Sequence, residues 1–261
     1  KKNRRLPIKG EVSKGKGDKV NADDVIAKTD LPGNVNMLKV ANLLNISPAD
    51  IHDVLEVKEG DTVNKGDMIA QTDGLFGFFK SDVRSPISGT IESISDVTGQ
   101  IVMREAPIPV EVDAYVEGIV SDVIKDEGVT IESEAAYIQG IFGIGGESRG
   151  DLHVVVNNRD EEITKDSINS SHAGKIIVGG SFISLDAYKK AIELKVRGVV
   201  VGGFNYFDLE DILGYTLGVA ITGTEDLVTS LIVTEGYGNI KMSERTFNLL
   251  NKHDGKFVSV N

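Results

Sequence analysis

The chain has 261 residues, of which 40% are hydrophobic and 26% are charged, and its net charge is −12. This length and composition are typical of a folded protein with two ordinary domains. The absence of cysteine excludes disulfides, thiolate nucleophiles and cysteine-held zinc or iron–sulfur sites within these residues. No stretch approaches 18 consecutive apolar residues, so we expect a cytoplasmic protein with no membrane span here. Membrane association would require segments outside this sequence.

Charge is distributed unevenly along the chain. Residues 1–19 carry eight Lys or Arg and two acids, which leaves a charge of −18 on the remainder. An acidic body repels the phosphates of nucleic acids, so we expect no nucleic-acid partner. The basic start offers a contact for an anionic membrane or RNA, but we favour the interpretation of a short solvated tail.

An internal repeat organises the first part of the sequence. GDKVNADDVIA begins at Gly17 and GDTVNKGDMIA begins at Gly60, and the copies are identical at seven of eleven positions. Each copy predicts a Gly-Asp turn, a short strand, a second turn and a strand that ends in Ile-Ala. A looser echo, YVEGIV from Tyr115 followed by EGV from Glu127, predicts that short strands continue to about residue 135.

Between the two copies, residues 38–55 predict a small helical insert. Ser47, Pro48 and Asp50 resemble an N-cap, a first-turn proline and a capping acid. We expect the apolar residues of the insert to cover one end of a barrel, although a partner-docking face is the alternative. These residues are Leu43, Leu44, Ile46, Ile51, Val54 and Leu55.

The pattern changes at about residue 151. DLHVVV predicts a strand, and three strand-glycine-helix units follow, which begin with KIIVGG, GVVVGG and GVAITG. LIVTEG, the helix MSERTFNLLNK and a last strand KFVSVN complete the segment. Continuous β-branched runs followed by helices are typical of parallel strands covered on both faces, so we predict an α/β domain with a mainly parallel sheet.

The second copy and its flanks carry a family resemblance. VKEGDTVNKGDMIA from Val57 and SPISGTIESI from Ser85 resemble the two half-motifs of the biotinyl/lipoyl barrel-sandwich hybrid superfamily. The pattern, together with an LPIKG start, is most similar to the N-terminal domains of the Rnf complex C subunit and the sodium-pumping NADH:quinone reductase A subunit. The resemblance implies an all-β barrel-sandwich fold and a peripheral subunit of a membrane redox complex. The cluster-binding cysteines of the Rnf subunit are absent, and the C-terminal segment matches no family that we recognise.

Carrier members of this superfamily present a modified lysine at the tip of the hairpin between the half-motifs. Here that segment is QTDGLFGFFKSDVRSP, and its only lysine is Lys80, six residues before Pro86. This spacing is too short for a carrier, so we expect no covalent cofactor and interpret Lys80 as a surface residue. Four large apolar residues of the hairpin predict either a partner-docking tip or core packing. They are Leu75, Phe76, Phe78 and Phe79.

The second segment offers a candidate ligand site. Glycines at the carboxyl ends of parallel strands allow helix N-termini to meet an anion, and ligands bind at that edge of open sheets. Helix capping by the acids and ordinary glycine turns are the alternatives. The candidate residues are Gly179, Gly180, Gly202, Gly203, Gly223 and Asp208.

Other patterns carry no chemistry that we can assign. The glycine-rich segment from Ile138 to Gly150 matches no phosphate-binding motif, and we interpret it as a flexible connection. The four histidines, His52, His153, His172 and His253, have no metal-ligand spacing. We therefore predict no catalytic residue, no metal site and no cofactor.

These observations predict three parts. Residues 1–110 form a barrel-sandwich hybrid region with the helical insert, residues 111–150 an additional β segment with the glycine-rich connection, and residues 151–261 the α/β domain. The leading functional hypothesis is a non-catalytic adaptor or scaffold that acts through protein–protein contacts. The alternatives are an accessory peripheral subunit of a membrane redox complex, and an enzyme domain that binds a small molecule or phosphate at the glycine-rich strand ends.

Overall fold

A computed structural model describes residues 1–72, 80–213 and 227–261. Among the described residues, the first half of the chain forms thirteen short strands and two short helices. They are β1 (Lys2–Arg5), β2 (Glu11–Val12), β3 (Lys19–Val20), β4 (Val25–Leu31), β5 (Val35–Leu38), α1 (Val40–Leu44), α2 (Ile51–Val54), β6 (Thr62–Val63), β7 (Met68–Gln71), β8 (Asp82–Arg84), β9 (Gly89–Ser95), β10 (Gln100–Arg104), β11 (Ile108–Asp113), β12 (Gly118–Ile124) and β13 (Gly128–Glu132).

These strands form two units, one inserted into the other. The outer unit consists of β1–β4 and β11–β13, which pair in the orders β1-β13-β12-β3 and β11-β4-β2. The inner unit consists of β5–β10 with α1 and α2, and its strands pair in the orders β5-β10-β9-β6 and β7-β8. Each unit has its own buried hydrophobic cluster. The chain therefore leaves the outer unit after β4, completes the inner unit and returns through β11.

The repeated sequence gives both units the same turn. Gly17 N–H donates to Val120 O in the outer unit, and Gly60 N–H donates to Ile91 O in the inner unit, both at 2.8 Å. Both glycines have a positive φ, +94° at Gly17 and +89° at Gly60. Only glycine adopts this conformation without a steric penalty, which explains why it recurs at this position.

Aspartates complete these turns in the same way. The carboxylate of Asp18 accepts a hydrogen bond from Gly15 N–H at 2.7 Å, and that of Asp61 accepts one from Lys58 N–H at 3.0 Å. Each aspartate thereby satisfies a backbone donor of its own turn. The echo that begins at Tyr115 provides β12 and β13, which pair with β3 and β1. The first copy and the echo therefore belong to one folded unit.

The helical insert packs on the inner unit. Val40, Leu44 and Ile51 are buried in its core, whereas Leu43 is 60% exposed. Residues Pro48–Asp50 form one 3₁₀ turn between α1 and α2. Ser47 occupies the N-cap position of that turn, but its side chain makes no capping hydrogen bond. The prediction of a Ser47 side-chain cap is therefore wrong, because the backbone carbonyl of Ser47 accepts the Asp50 N–H instead, at 3.0 Å.

The second half of the chain forms a mixed sheet with three helices among the described residues. Its elements are β14 (Phe142–Ile144), β15 (Ser148–Val154), β16 (Glu162–Ile163), β17 (Ile176–Val178), β18 (Phe182–Ile183), α3 (Leu185–Glu193), β19 (Gly198–Phe204), α4 (Tyr206–Leu213), β20 (Ser230–Tyr237), α5 (Glu244–Lys252) and β21 (Phe257–Val260). The main order is β14-β20-β19-β17-β15-β21. β15, β17, β19 and β20 are parallel, and β14 and β21 run antiparallel at the two ends of this order.

Buried side chains lie on both faces of this sheet. Ile177, Val199 and Val201 belong to one cluster together with residues of α3. Ile176, Val178 and Val200 belong to another cluster together with residues of α5. Alternate side chains of a strand point to opposite faces, so burial of both sets explains why β17 and β19 are continuously apolar. The GVAITG segment lies outside the described residues.

The glycine-rich segment from Ile138 to Gly150 is more regular than the sequence indicated. It contains β14 and the start of β15, so its description as a flexible connection is wrong. Pairing with β20 and β21 orders it, since backbone hydrogen bonds form without any contribution from side chains. At Gly150, a Cβ atom would lie 2.4 Å from Gly174 O, so glycine permits the close approach of that turn.

The repeated turn provides a stability test. In Gly60→Ala, the added methyl group meets no atom within 4 Å, so the penalty arises from the φ of +89° alone. We expect a loss of about 1 kcal/mol in the free energy of unfolding, measured by urea denaturation. Gly15→Ala is the matched control, because Gly15 has no positive φ and its nearest atom, Asp18 Oδ2, is 3.7 Å from the added carbon. Equal stability of the two variants would contradict this account of the turn.

Candidate functional site

The hairpin of the inner unit begins on a firmly paired stem. β7 and β8 pair through Ala70 with Val83 and through Gln71 with Asp82. Beyond them, Thr72 N–H donates to Ser81 O at 2.9 Å, and Ser81 N–H donates to the Thr72 hydroxyl at 3.1 Å. Lys80 is exposed and precedes this last pair directly. The proposed docking residues Leu75, Phe76, Phe78 and Phe79 belong to the segment that joins β7 to β8, and they lie outside the described residues.

The outer unit has an equivalent hairpin stem. Ala27 on β4 pairs with Val112 on β11, as Ala70 pairs with Val83 in the inner unit. The backbone bonds beside the two stems also agree: Ser13 N–H donates to Ile26 O, and Glu56 N–H donates to Ile69 O, both at 2.9 Å. Between β4 and β11 the chain forms the whole inner unit. A folded unit therefore occupies, between β4 and β11, the position that the connection from β7 to β8 has in the inner unit.

The glycines predicted to bind a ligand lie close together in the second sheet. Gly179 and Gly180 follow β17, and Gly202 N–H donates to Gly180 O at 3.0 Å. All four glycines, with Gly202 and Gly203 inside β19, are buried. Gly223 lies outside the described residues. Asp208 is half-buried in the first turn of α4, where a carboxylate favours the helix N-terminus.

Backbone of neighbouring loops packs directly against these glycines. A Cβ atom on Gly202 would lie 2.1 Å from Ile240 O, and one on Gly203 would lie 1.9 Å from Gly238 O. At Gly180, the carbonyl oxygens of Asn158 and Glu161 would both be 2.6 Å away. The missing side chains thus allow two loops to cover the strand ends. Ligand binding by these residues stays a prediction.

Two histidines that are far apart in the sequence meet on the second sheet. His153 lies on β15 and His172 in a 3₁₀ turn (Ser170–His172), and their ring centroids are 5.2 Å apart. His153 Nδ1 lies 3.4 Å from Asp254 Oδ1. His172 is 5% exposed, and its Nδ1 accepts the Asn169 N–H at 3.2 Å. Burial, followed by the charges of His153 and Lys175, lowers the pKa of His172.

The part of the chain that the structure describes contains no group of side chains that could bind a metal ion. Across residues 1–72, 80–213 and 227–261, no three His, Asp or Glu side chains are grouped so that they could hold a metal ion. The helices of these same ranges also include none with the length and apolar character needed to cross a bilayer.

Sequence reasoning missed a polar cluster that joins the outer unit to the second sheet. Arg149 on β15 contacts Asp113 of β11 and Asp23 of the first repeat, each at 2.6 Å. Arg4 on β1 contacts Asp113 at 3.0 Å and Glu147 at 2.6 Å. We call these five residues the junction cluster. Its members are spread over more than 140 positions, so no local motif identifies it.

Tyr115 lies beside the junction cluster. It has a φ of +64° and is 4% exposed, and its backbone oxygen accepts the hydroxyl of Ser259 on β21 at 2.5 Å. Lys2 Nζ and Arg4 Cζ lie 4.7 and 5.1 Å from the centre of its ring, within the range of cation–π attraction. Burial, together with the Glu147 carboxylate, raises the pKa of the Tyr115 hydroxyl. This residue therefore combines backbone strain, burial and charge at the contact with the second sheet.

The carboxylate of Asp113 remains ionised within the junction cluster. Burial by itself would raise the pKa of Asp113, but the hydrogen bonds and charges of Arg149 and Arg4 outweigh that effect and lower it. Because both arginines are only partly exposed, their contacts are screened less than those of fully exposed ion pairs.

Comparison with known proteins identifies one region. Residues 52–115 match the family model described as the RnfC barrel sandwich hybrid domain. This match confirms the predicted barrel-sandwich hybrid fold and its likeness to the N-terminal domain of the Rnf C subunit. It covers the inner unit from α2 onward together with β11 of the outer unit. No curated protein matches the chain, and no solved structure does.

The junction cluster makes a prediction for Arg149→Gln. Glutamine cannot supply the two charged contacts, and Asp113 loses its shorter charged partner. We expect the free energy of unfolding to fall by about 1–2 kcal/mol at pH 7. Arg5→Gln is the control, since Arg5 contacts Glu127 at 3.4 Å and is 54% exposed; its loss should stay within about 0.5 kcal/mol. Equal losses in urea titrations would show that the junction cluster does not stabilise the protein.

The buried histidine predicts a pH dependence. The folded state holds His172 neutral with a pKa below the ordinary 6.5, so the unfolded chain binds the proton first as the pH falls. Stability contributed by neutral His172 is complete above about pH 6.5 and is lost progressively as the pH falls below that value toward the lowered pKa of the folded state. We expect His172→Asn to flatten this part of the stability curve, because an amide can accept the Asn169 N–H without titrating. His52→Asn, at an exposed position of α2, is the matched control for the loss of one histidine.

Proposed function

We propose that this chain is a non-catalytic adaptor that acts through protein–protein contacts. The observation that carries the proposal is the nesting of the two units: the hairpin of the outer unit bears a folded domain, and the spacing of Lys80 in the inner hairpin does not suit a carrier. In carrier proteins the barrel-sandwich hybrid fold presents a covalently bound cofactor. In this chain we propose that the same fold presents a protein surface for binding a partner. The LFGFF sequence of residues 75–79 supports the proposal, because four large apolar side chains in five positions are typical of an interaction site where such residues are exposed.

A corresponding division of the chain is part of the proposal. We propose residues 1–110 as the barrel-sandwich region, to which the additional β segment contributes β12 and β13, and residues 151–261 as an α/β domain, to whose sheet β14 and the start of β15 belong. Four parallel strands with buried clusters on both faces support the α/β assignment. Pairing of β12 and β13 with β3 and β1 supports including residues up to Glu132 in the N-terminal region.

A second candidate is an accessory peripheral subunit of a membrane redox complex. The match of residues 52–115 to the RnfC barrel sandwich hybrid domain favours it. Without cysteines, this chain would contribute contacts and not iron–sulfur clusters. The two candidates share a docking role and differ in the partner, so one experiment can separate them.

The test is affinity purification of the full chain from its native host after chemical crosslinking. In the test variant, Leu75, Phe76, Phe78 and Phe79 are replaced by serine. We expect this variant to lose a partner that the unaltered chain retains, because the apolar contact area is removed. The control is Tyr137→Ser with Ile141→Ser, which alters residues that are 83% and 64% exposed outside the inner unit. Flavin- or quinone-bearing proteins among the lost partners would support the second candidate.

Identical partners for the test variant, the control and the unaltered chain would contradict docking through residues 75–79. Circular dichroism of each purified variant shows whether the fold is retained, so a lost partner can be distinguished from a lost structure.

A further inference from the structure

We infer that the inner unit is a mobile head that reorients as a rigid body on the neck formed by residues 32–34 and 105–107. The outer unit and the second sheet form the base from which it moves. This inference concerns the mechanics of the chain and does not depend on the identity of any partner.

Separate hydrophobic cores are the first observation. The cluster of the inner unit contains residues between Leu38 and Met103, and that of the outer unit contains residues up to Ala27 and from Val112 onward. No buried side chain belongs to both clusters. Since burial of apolar surface is the main force that fixes domains against each other, these cores hold each unit together without fixing their relative orientation.

The neck interrupts both ladders that lead into it. Pairing of β4 with β11 ends at Leu31 and Ile108, and pairing of β5 with β10 begins at Val35 and Arg104. Pro32 and Pro107 stand in the gap, are exposed and have no backbone N–H to donate, so they cannot continue a ladder.

Contacts within the neck join its two strands to each other. Glu105 N–H donates to Asn34 O at 3.0 Å, and the Asn34 amide donates to the Glu105 carboxylate at 2.8 Å. Across the described residues, no ion pair or side-chain hydrogen bond joins residues 35–104 to the outer unit or to the second sheet. The Arg104 guanidinium reaches only Gly33 O in the neck, at 3.2 Å. The inner unit is thus attached to the rest of the protein only by the two segments of the neck, among the contacts of the described residues.

The contact between the outer unit and the second sheet is of a different kind from the neck. There three ion pairs of the junction cluster cross to the second half, each at 2.6 Å, and the buried Tyr115 accepts a hydrogen bond from Ser259. One side of the outer unit is therefore fastened by charged contacts and the other only by the neck. Relative motion is expected where an interface is small and polar, so it should concentrate at the neck.

Motion at the neck has a mechanical consequence for the chain. Because β7 and β8 belong to the inner unit, their hairpin moves with the head. In a carrier domain one modified side chain swings, whereas here an entire folded unit occupies the equivalent hairpin position and swings in its place.

The absence of cysteine allows a direct test on the full chain by paired spin labels. One variant carries Val97→Cys in the inner unit and Asp122→Cys in the outer unit. The matched control carries Asp122→Cys and Lys189→Cys on α3 of the second half, and all three positions are exposed. We expect the distance distribution measured by pulsed electron spin resonance to be about twofold broader across the neck than across the junction cluster.

Equal widths for the two pairs would overturn the inference, because they would show that the neck is as rigid as the junction cluster. Backbone ¹⁵N relaxation of the unlabelled chain gives an independent reading. We expect a shorter rotational correlation time for amides of β5–β10 than for those of β15–β20, and a single correlation time for both sets would also overturn it.

Discussion

Both N-terminal units depend on one turn, in which a glycine at positive φ precedes an aspartate that binds its own backbone. At Gly17 and Gly60 this turn directs the backbone N–H to the facing strand, where Val120 and Ile91 accept it. These two aliphatic residues are buried in the cores of their units. The positive φ of each glycine therefore helps to place a core residue, because the turn binds the backbone of the strand that carries it. A short-strand fold with few backbone ladders needs such a fixed point, because each strand alone is too short to specify its register.

The two connections of the outer unit differ in the contacts that hold them. At the second sheet, arginines from β1 and β15 share Asp113, and the pKa of this carboxyl is lowered because the charged form is stabilised. At the inner unit, prolines interrupt the ladders and no comparable set of charges faces across the neck in the described ranges. The proposed adaptor role would use this combination, since the inferred motion leaves one part of the chain fixed while the other reorients.

Glycine serves two different purposes in the two halves. In the repeated turns it supplies a backbone conformation that other residues adopt only with strain. In β19 and after β17 it supplies space, because loop carbonyl oxygens lie where a side chain would be. The second use resembles a ligand site when only the sequence is available, since a glycine at a strand end allows a close approach by either a ligand or the chain's own backbone.

The sequence by itself predicted the barrel-sandwich fold, because the segments from Val57 and Ser85 resemble the two half-motifs of a known superfamily and the Gly-Asp turns of the repeat are local patterns. It also located most helices and strands of the second half, where hydrophobic runs and flanking glycines are continuous. Only the tertiary structure decided that the first repeat closes with the strands after Tyr115 around an inserted unit, and that Arg4 and Arg149 share Asp113. These relations join residues separated by tens to more than a hundred positions, and long-range pairing of this kind leaves no periodic signal in a single sequence.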